Sequence, residues 1–309
     1  MSVQAPPAPA DKQRELTTRL RTRRFDGVSR AFELLLLLSL VFALLVLVIL
    51  IADVLRDGWS VFTGRGADFL TSNLSSSPRR AGVAQAIRGS LLLSLITALI
   101  AFPIGVGAAV YLEEYARNTR LTRFINVNIR NLAGVPSIVY GLLGLAIFVN
   151  LVFRRDQTLF GAALTLAALV LPIVIITTAE ALRAVPSGIR EAALGVGSTK
   201  WEMVRHHVLP YASPGILTGT VLSLARAAGE TAPLILVGAA TGFFAGGSGF
   251  QEQLFGKYAA LPVTIFTWAR NPNAQFRALT AAAIVVLLIV ILLVNAVAIV
   301  LRNRYERKW

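Results

Sequence analysis

Arg226 and Glu230 stand four positions apart in residues 214–240, a run otherwise apolar enough to cross a bilayer. A charge at that depth costs roughly 2.5–3.5 kcal/mol on insertion scales, so it persists where it faces a bundle interior or a hydrated path. Four helical residues amount to about 40° of rotation, which puts guanidinium and carboxylate on one face. Ala227, Ala228, Gly229 and Thr231 beside them are small and leave space above the guanidinium. A planar guanidinium fork suits phosphate or sulfate, and Glu230 would hold it and keep a fixed positive charge from trapping the anion. The alternative is an ion pair that only holds two helices together. Pro233 lacks the N–H that would bond the Gly229 carbonyl, so an unpaired backbone acceptor is expected at the same level.

Other reactive residue types point elsewhere. The sequence has no cysteine, which excludes disulfides, thiol catalysis and Cys-ligated metals. His206 and His207 are neighbours, diverge on a helix, and cannot chelate one metal together. Glu113 and Glu114, followed by Arg117, Arg120 and Arg123, read as anchors at a membrane interface. No Gly-x-x-x-x-Gly-Lys-Ser/Thr phosphate loop occurs, so the chain is not expected to hydrolyse ATP or carry a cofactor.

The elements that must position these residues are membrane spans. Hydrophobic residues make up 55% of the chain and charged residues 15%, too apolar for a soluble domain. A span needs roughly 20 largely apolar residues. Six runs qualify, near residues 32–55, 89–112, 131–153, 157–179, 214–240 and 278–301. The fold class expected is all-α, one transmembrane domain over 32–302, with a disordered basic tail at 1–31 and a short tail at 303–309. The net charge of +14 does not indicate nucleic acid, because Lys and Arg concentrate in the segments that the positive-inside rule assigns to the cytoplasm. That bias places both termini inside, which an even number of spans satisfies. Gly105, Gly107, Ala108 and Ala109 form a small-residue face for close helix contact, as do Gly141 and Gly144. Outside, Gly242, Gly246, Gly247 and Gly249 argue against a continuing helix, and residues 261–269 read as a segment along the outer interface.

The cytoplasmic loop at 183–213 has too many helix signals for a plain connector. Ser187 reads as an N-cap after Pro186, with Glu191 in or just beyond the first turn. Ala192, Ala193 and Leu194 favour a helix that Gly195 or Gly197 ends. Thr199-Lys200-Trp201-Glu202 has the spacing of a capping box. Trp201, Val204 and Val208 then recur at helical spacing, Pro210 stops that helix, and Ser213-Pro214 starts the next span. Two short helices meeting at a glycine turn form a docking element, with Trp201 as a packing anchor.

These residues also resemble a known pattern. The run EAALGVGSTKWEMVRHHVLP, with Glu191, Ala192, Ala193, Gly197, Leu209 and Pro210 in register, resembles the coupling-loop motif of ABC-importer membrane subunits. His207 departs from it, standing where the family usually has an aliphatic residue. RAAGETAPLIL (Arg226–Leu236), AGVPSIVYGLLGLA (Ala133–Ala146) and FPIGVGAAVYLEEYA (Phe102–Ala116) are similar to phosphate-specific permeases of the PstA type. The resemblance implies a type I ABC-importer permease in a bacterial or archaeal plasma membrane. It implies four kinds of partner: a related second permease subunit, an ATP-binding subunit dimer that holds ATP and Mg, an extracytoplasmic phosphate-binding protein, and the lipid bilayer. Sulfate, molybdate or phosphonate remain alternative cargoes at this stage, and an intramembrane enzyme using Glu230 and Arg226 is a weaker third reading.

Overall fold

The computed structural model describes residues 27–239 and 250–305, and no strand occurs among them. Most of the basic tail, the expected glycine-rich stretch at 242–249 and the last four residues lie outside the described residues. The chain divides into two units after Asp53. The described part of the first unit belongs to α1 (Gly27–Arg65), and its leucine and valine side chains are exposed throughout, as in a helix surrounded by lipid. At 39 residues α1 is about 58 Å long, so it continues well past the expected end near residue 55.

In the second unit α2 (Ala67–Thr71) leads to α3 (Ala84–Val110), which continues through one wide π turn, Tyr111–Tyr115. There follow α4 (Arg120–Ala133), α5 (Ser137–Gly144, extended by a π segment Leu145–Val152), α6 (Leu159–Arg183) and α7 (Ser187–Gly195). Next are α8 (Lys200–Met203, then a π turn Val204–Val208), α9 (Leu209–Ala228) and α10 (Ala232–Leu236). The last are α11 (Phe250–Phe255), α12 (Leu261–Ala269) and α13 (Gln275–Tyr305). Five of the described helices are long and apolar enough to cross a membrane, or six if the bent pair α4–α5 counts as one span.

That bend corrects the third expected span. A continuous helix over 131–153 does not form, because Pro136 has no N–H to give and disfavours helical backbone at Val135. The chain turns by 101° between α4 and α5. Helix α4 thus stands nearly perpendicular to α5, and its composition is that of an interfacial helix. Thr119 caps it by accepting from the Thr122 amide at 3.2 Å, and Leu121, Phe124 and Val127 are exposed beside Arg120, Arg123 and Arg130.

The core is organised around α6. Of its most apolar stretch 67% is buried, the largest share among the crossing helices, and α3, α5 and α9 all pack on it. Small residues permit this approach. A Cβ on Gly105 of α3 would come within 2.6 Å of the Val174 side chain of α6, so only glycine fits there. Gly107, expected on the same face, has nothing within 4 Å and points away.

The segments before α3 and around α12 pack with the first turns of α13 into a second core. Phe69 is fully buried with its ring centroid 6.5 Å from Trp268, which lies 5.7 Å from Phe276. Helix α12 belongs to this core, which corrects the expectation of an interfacial segment: Leu261, Val263, Thr264 and Trp268 are buried. Its Leu261 amide donates to the Ser90 hydroxyl at 2.8 Å, tying α12 to α3. The Ser-rich loop before α3 is pinned by Arg65, which donates to the Pro78 and Ala81 carbonyls at 3.1 and 2.7 Å.

Candidate functional site

The loop after α6 is built from local signals. Helix α7 starts at Ser187, with Pro186 rather than Ser187 in the cap position and no side-chain cap. It ends in a Schellman arrangement: the Gly197 amide donates to the Leu194 carbonyl at 3.0 Å and the Ser198 amide to the Ala193 carbonyl at 3.1 Å. That geometry needs left-handed backbone, which Gly197 supplies at φ 88°. The capping box at α8 forms in both directions, Thr199 Oγ1 accepting from the Glu202 amide and Glu202 Oε2 accepting from the Thr199 amide.

From there the structure departs from the expectation. Pro210 does not stop the helix, and Pro214 lies inside α9 rather than starting it. The turn before Pro210 is widened, with the Leu209 amide bonded to the Val204 carbonyl five residues back. A turn that has already shifted register has room for a proline ring and does not use its missing donor. Residues from Lys200 to Ala228 therefore form one helical rod from loop to membrane interior.

Burial sorts the predicted loop residues into two groups. Ala193 and Leu209 face inward, joining Met203, Val204, Val208 and Ala212 in a core with Ile175, Leu182 and Ile216. Glu191, Ala192, Gly197, Trp201 and Pro210 are exposed. Trp201 does not share a face with Val204 and Val208, because those two are fully buried while Trp201 is 57% exposed. Leu194, named from the sequence only as a helix former, and Val196 are also exposed, so with Trp201 the loop carries three exposed apolar side chains. An apolar tip on a self-capped, internally packed loop is suited to enter a cleft in another protein.

Sequence reasoning also missed what holds the loop. Glu113 accepts from Arg183 Nε at 2.9 Å and also from Arg183 Nη2. Glu114, with a side chain 5% exposed, is gripped by Arg190 Nη2 at 2.8 Å and by Nε at 3.2 Å. The remaining Arg190 donors satisfy the Leu182 and Val185 carbonyls at the end of α6, at 2.8 and 2.7 Å. The available signal was two adjacent acids ending one span and two arginines, seven positions apart, after another assigned to the same side.

At the charged pair the helix does not continue. α9 ends at Ala228, the chain turns through Gly229, Glu230 and Thr231, and α10 begins at Ala232 with Pro233 in its first turn. The expected span of 214–240 is thus broken at its charges. Arg226 lies in the last turn of α9 and Glu230 just ahead of α10, so each charge sits at a helix end of opposite partial charge. Arg226 Nε is 3.7 Å from Glu230 Oε1, an ion pair without a hydrogen bond, with Arg226 63% exposed and Glu230 17%. Gly229 is exposed and Thr231 half-buried beside them. Helix α10 packs against α5, where a Cβ on Gly141 would lie 2.7 Å from the Pro233 Cα.

Between α3 and the segments that precede α3 and α12, a cleft of about 480 Å³ is lined by Asn73, Gln85, Arg88, Lys257 and Tyr258 with Leu91, Leu92 and Leu95. Burial pushes the Tyr258 hydroxyl well above its usual titration range. Among the described residues, no group of His, Asp and Glu is arranged to hold a metal ion.

The chain is similar to known proteins in sequence and in fold. Residues 101–308 match the family described as "Binding-protein-dependent transport system inner membrane component". The chain is 37% identical to the phosphate transport system permease protein PstA 1 of Mycobacterium tuberculosis over 276 residues, covering 88% of this chain and 86% of that one. It is 37% identical to PstA of Yersinia pestis, covering 75% and 77%. With the probable ABC transporter permease protein YqgI of Bacillus subtilis it is 38% identical over 56% of this chain and 58% of that one. Among solved structures, the fold is similar to a chain of the MetNI methionine ABC transporter in an inward-facing conformation, with a TM-score of 0.60 at 19% identity. That alignment covers 73% of this chain and 96% of that one. A chain of a bacterial alginate ABC transporter gives 0.61 at 15%, covering 93% and 99%. The fold is thus shared with importer permeases of known structure, and the chain belongs to the family of binding-protein-dependent transport system inner membrane components.

Proposed function

We propose that this chain is one of two related membrane-spanning subunits of an ATP-driven importer of inorganic phosphate in a bacterial plasma membrane, with both termini in the cytoplasm. The observation that carries the reading is the similarity to phosphate transport permeases across 88% of the chain. An extracytoplasmic binding protein delivers phosphate. A dimeric ATPase, which binds the ATP and Mg, receives the loop through Glu191, Ala192, Trp201, Leu194 and Val196, while Ala193, Gly197, Leu209 and Pro210 give the loop its shape.

Arg226, Gly229, Glu230 and Thr231 line the anion path. The guanidinium is loosely paired and largely exposed, so an incoming oxyanion can take its donors while Glu230 stays behind to reclaim them. Such an exchange lowers the cost of entry and of release together, which a lone fixed arginine does not. The loop and the charged break are joined by the rod from Lys200 to Ala228. Displacement of the loop therefore reaches the charged break without crossing a flexible joint.

The test is uptake of labelled phosphate into proteoliposomes holding the complete complex, with binding protein outside and ATP inside. Phosphate uptake that excess sulfate or molybdate does not compete away supports the reading; uptake of another oxyanion in its place overturns the cargo.

A further inference from the structure

Glu113, Glu114 and Tyr115 are consecutive, and each meets a different segment of the cytoplasmic loop region. Glu113 is paired with Arg183 at the end of α6, Glu114 with Arg190 in α7, and the Tyr115 ring lies 5.2 Å under the Lys200 ammonium at the start of α8. Successive side chains of a helix diverge around its axis, and these three lie in the π turn that ends α3. Glu114 is the better buried of the two acids, its side chain 5% exposed against 16% for Glu113, and the Arg190 fork also donates to the Leu182 and Val185 carbonyls. The apolar core beneath includes Ala109 of α3 with Leu182, Ala193, Met203 and Val208.

We propose that this triad is a three-point anchor that makes the cytoplasmic end of α3 move as one body with the coupling loop, with Glu114 and Arg190 as its positioning residues. The inference rests on the coupling role given above to the loop. Loop motion then reaches the membrane core by two routes, the α8–α9 rod and α3, which packs along α6. Without the anchor, the ATPase can still bind and cycle, but its stroke is shared with a slack joint.

Two measurements on the full complex in proteoliposomes test this in Glu114→Gln, with Glu114→Asp as the charge-retaining control and Glu113→Gln as a milder second variant. In Glu114→Gln, amide hydrogen exchange over residues 111–116 should rise about tenfold while residues 159–182 keep their protection. Phosphate imported per ATP hydrolysed should fall about tenfold with ATP hydrolysis retained, Glu114→Asp lying between it and the parent. Unchanged exchange at 111–116, an unchanged import ratio, or uptake and hydrolysis falling together would each overturn the anchor. Should the parent complex import no phosphate, the functional reading fails, while the exchange measurement still decides the anchor.

Discussion

Arg226 and Glu230 are the residues whose chemistry most directly bears on cargo. Replacing Arg226 with Gln removes the charge and the fork while keeping a similar length. Phosphate uptake should fall by about 100-fold, the order expected when one charge-assisted contact of about 2.7 kcal/mol is lost. Co-purification of the partner subunits should be unaffected, because the ion pair of Arg226 is with Glu230, within the same break between helices. Near-normal uptake in that variant would remove the residue from the path. Arg190→Ala acts differently, leaving the buried Glu114 carboxylate and the Leu182 and Val185 carbonyls without their donors. It should destabilise the solubilised protein by about 3 kcal/mol, read as a lowered Tm in detergent, whereas Arg183→Ala, whose side chain is 48% exposed, should lower it far less.

Among the elements, the loop was the most legible in sequence, because caps and turns are local chemistry. Gly197 was marked by its place after an Ala-rich helix and is needed because a Cβ penalises the left-handed backbone there by about 1–2 kcal/mol. Gly197→Asp should therefore distort the tip and abolish retention of the ATPase on affinity purification; wild-type yield of the ATPase would refute the docking role. Thr199→Ala, which removes one half of the capping box, should cost only about 1 kcal/mol and leave the ATPase bound. What misled the reading was proline. Pro136 broke a span expected to be continuous, while Pro210 and Pro214 failed to break one. A proline removes one donor at a fixed place, but whether the chain bends or widens depends on what neighbours satisfy or fill, which a single sequence does not record.

For the whole molecule, topology is the first thing to test. The chain has no cysteine, so single replacements report cleanly: Ser75→Cys should react with a membrane-impermeant maleimide from outside intact cells, and Ser198→Cys only after permeabilisation. The reverse pattern would invert the orientation proposed here. Four of the six expected spans, the basic flanks, the loop's two helices and the charge pair were determined by the sequence itself, because hydropathy, capping and desolvation act over one or two turns. Tertiary structure alone decided that α6 is the central helix, that 261–269 is buried rather than interfacial, and that Glu113 and Glu114 face Arg183 and Arg190. It also showed that the charged helix stops at Arg226 and Glu230 instead of running past them. Each of these depends on which surfaces meet between segments well separated in the chain, and local chemistry leaves that choice open until the helices pack.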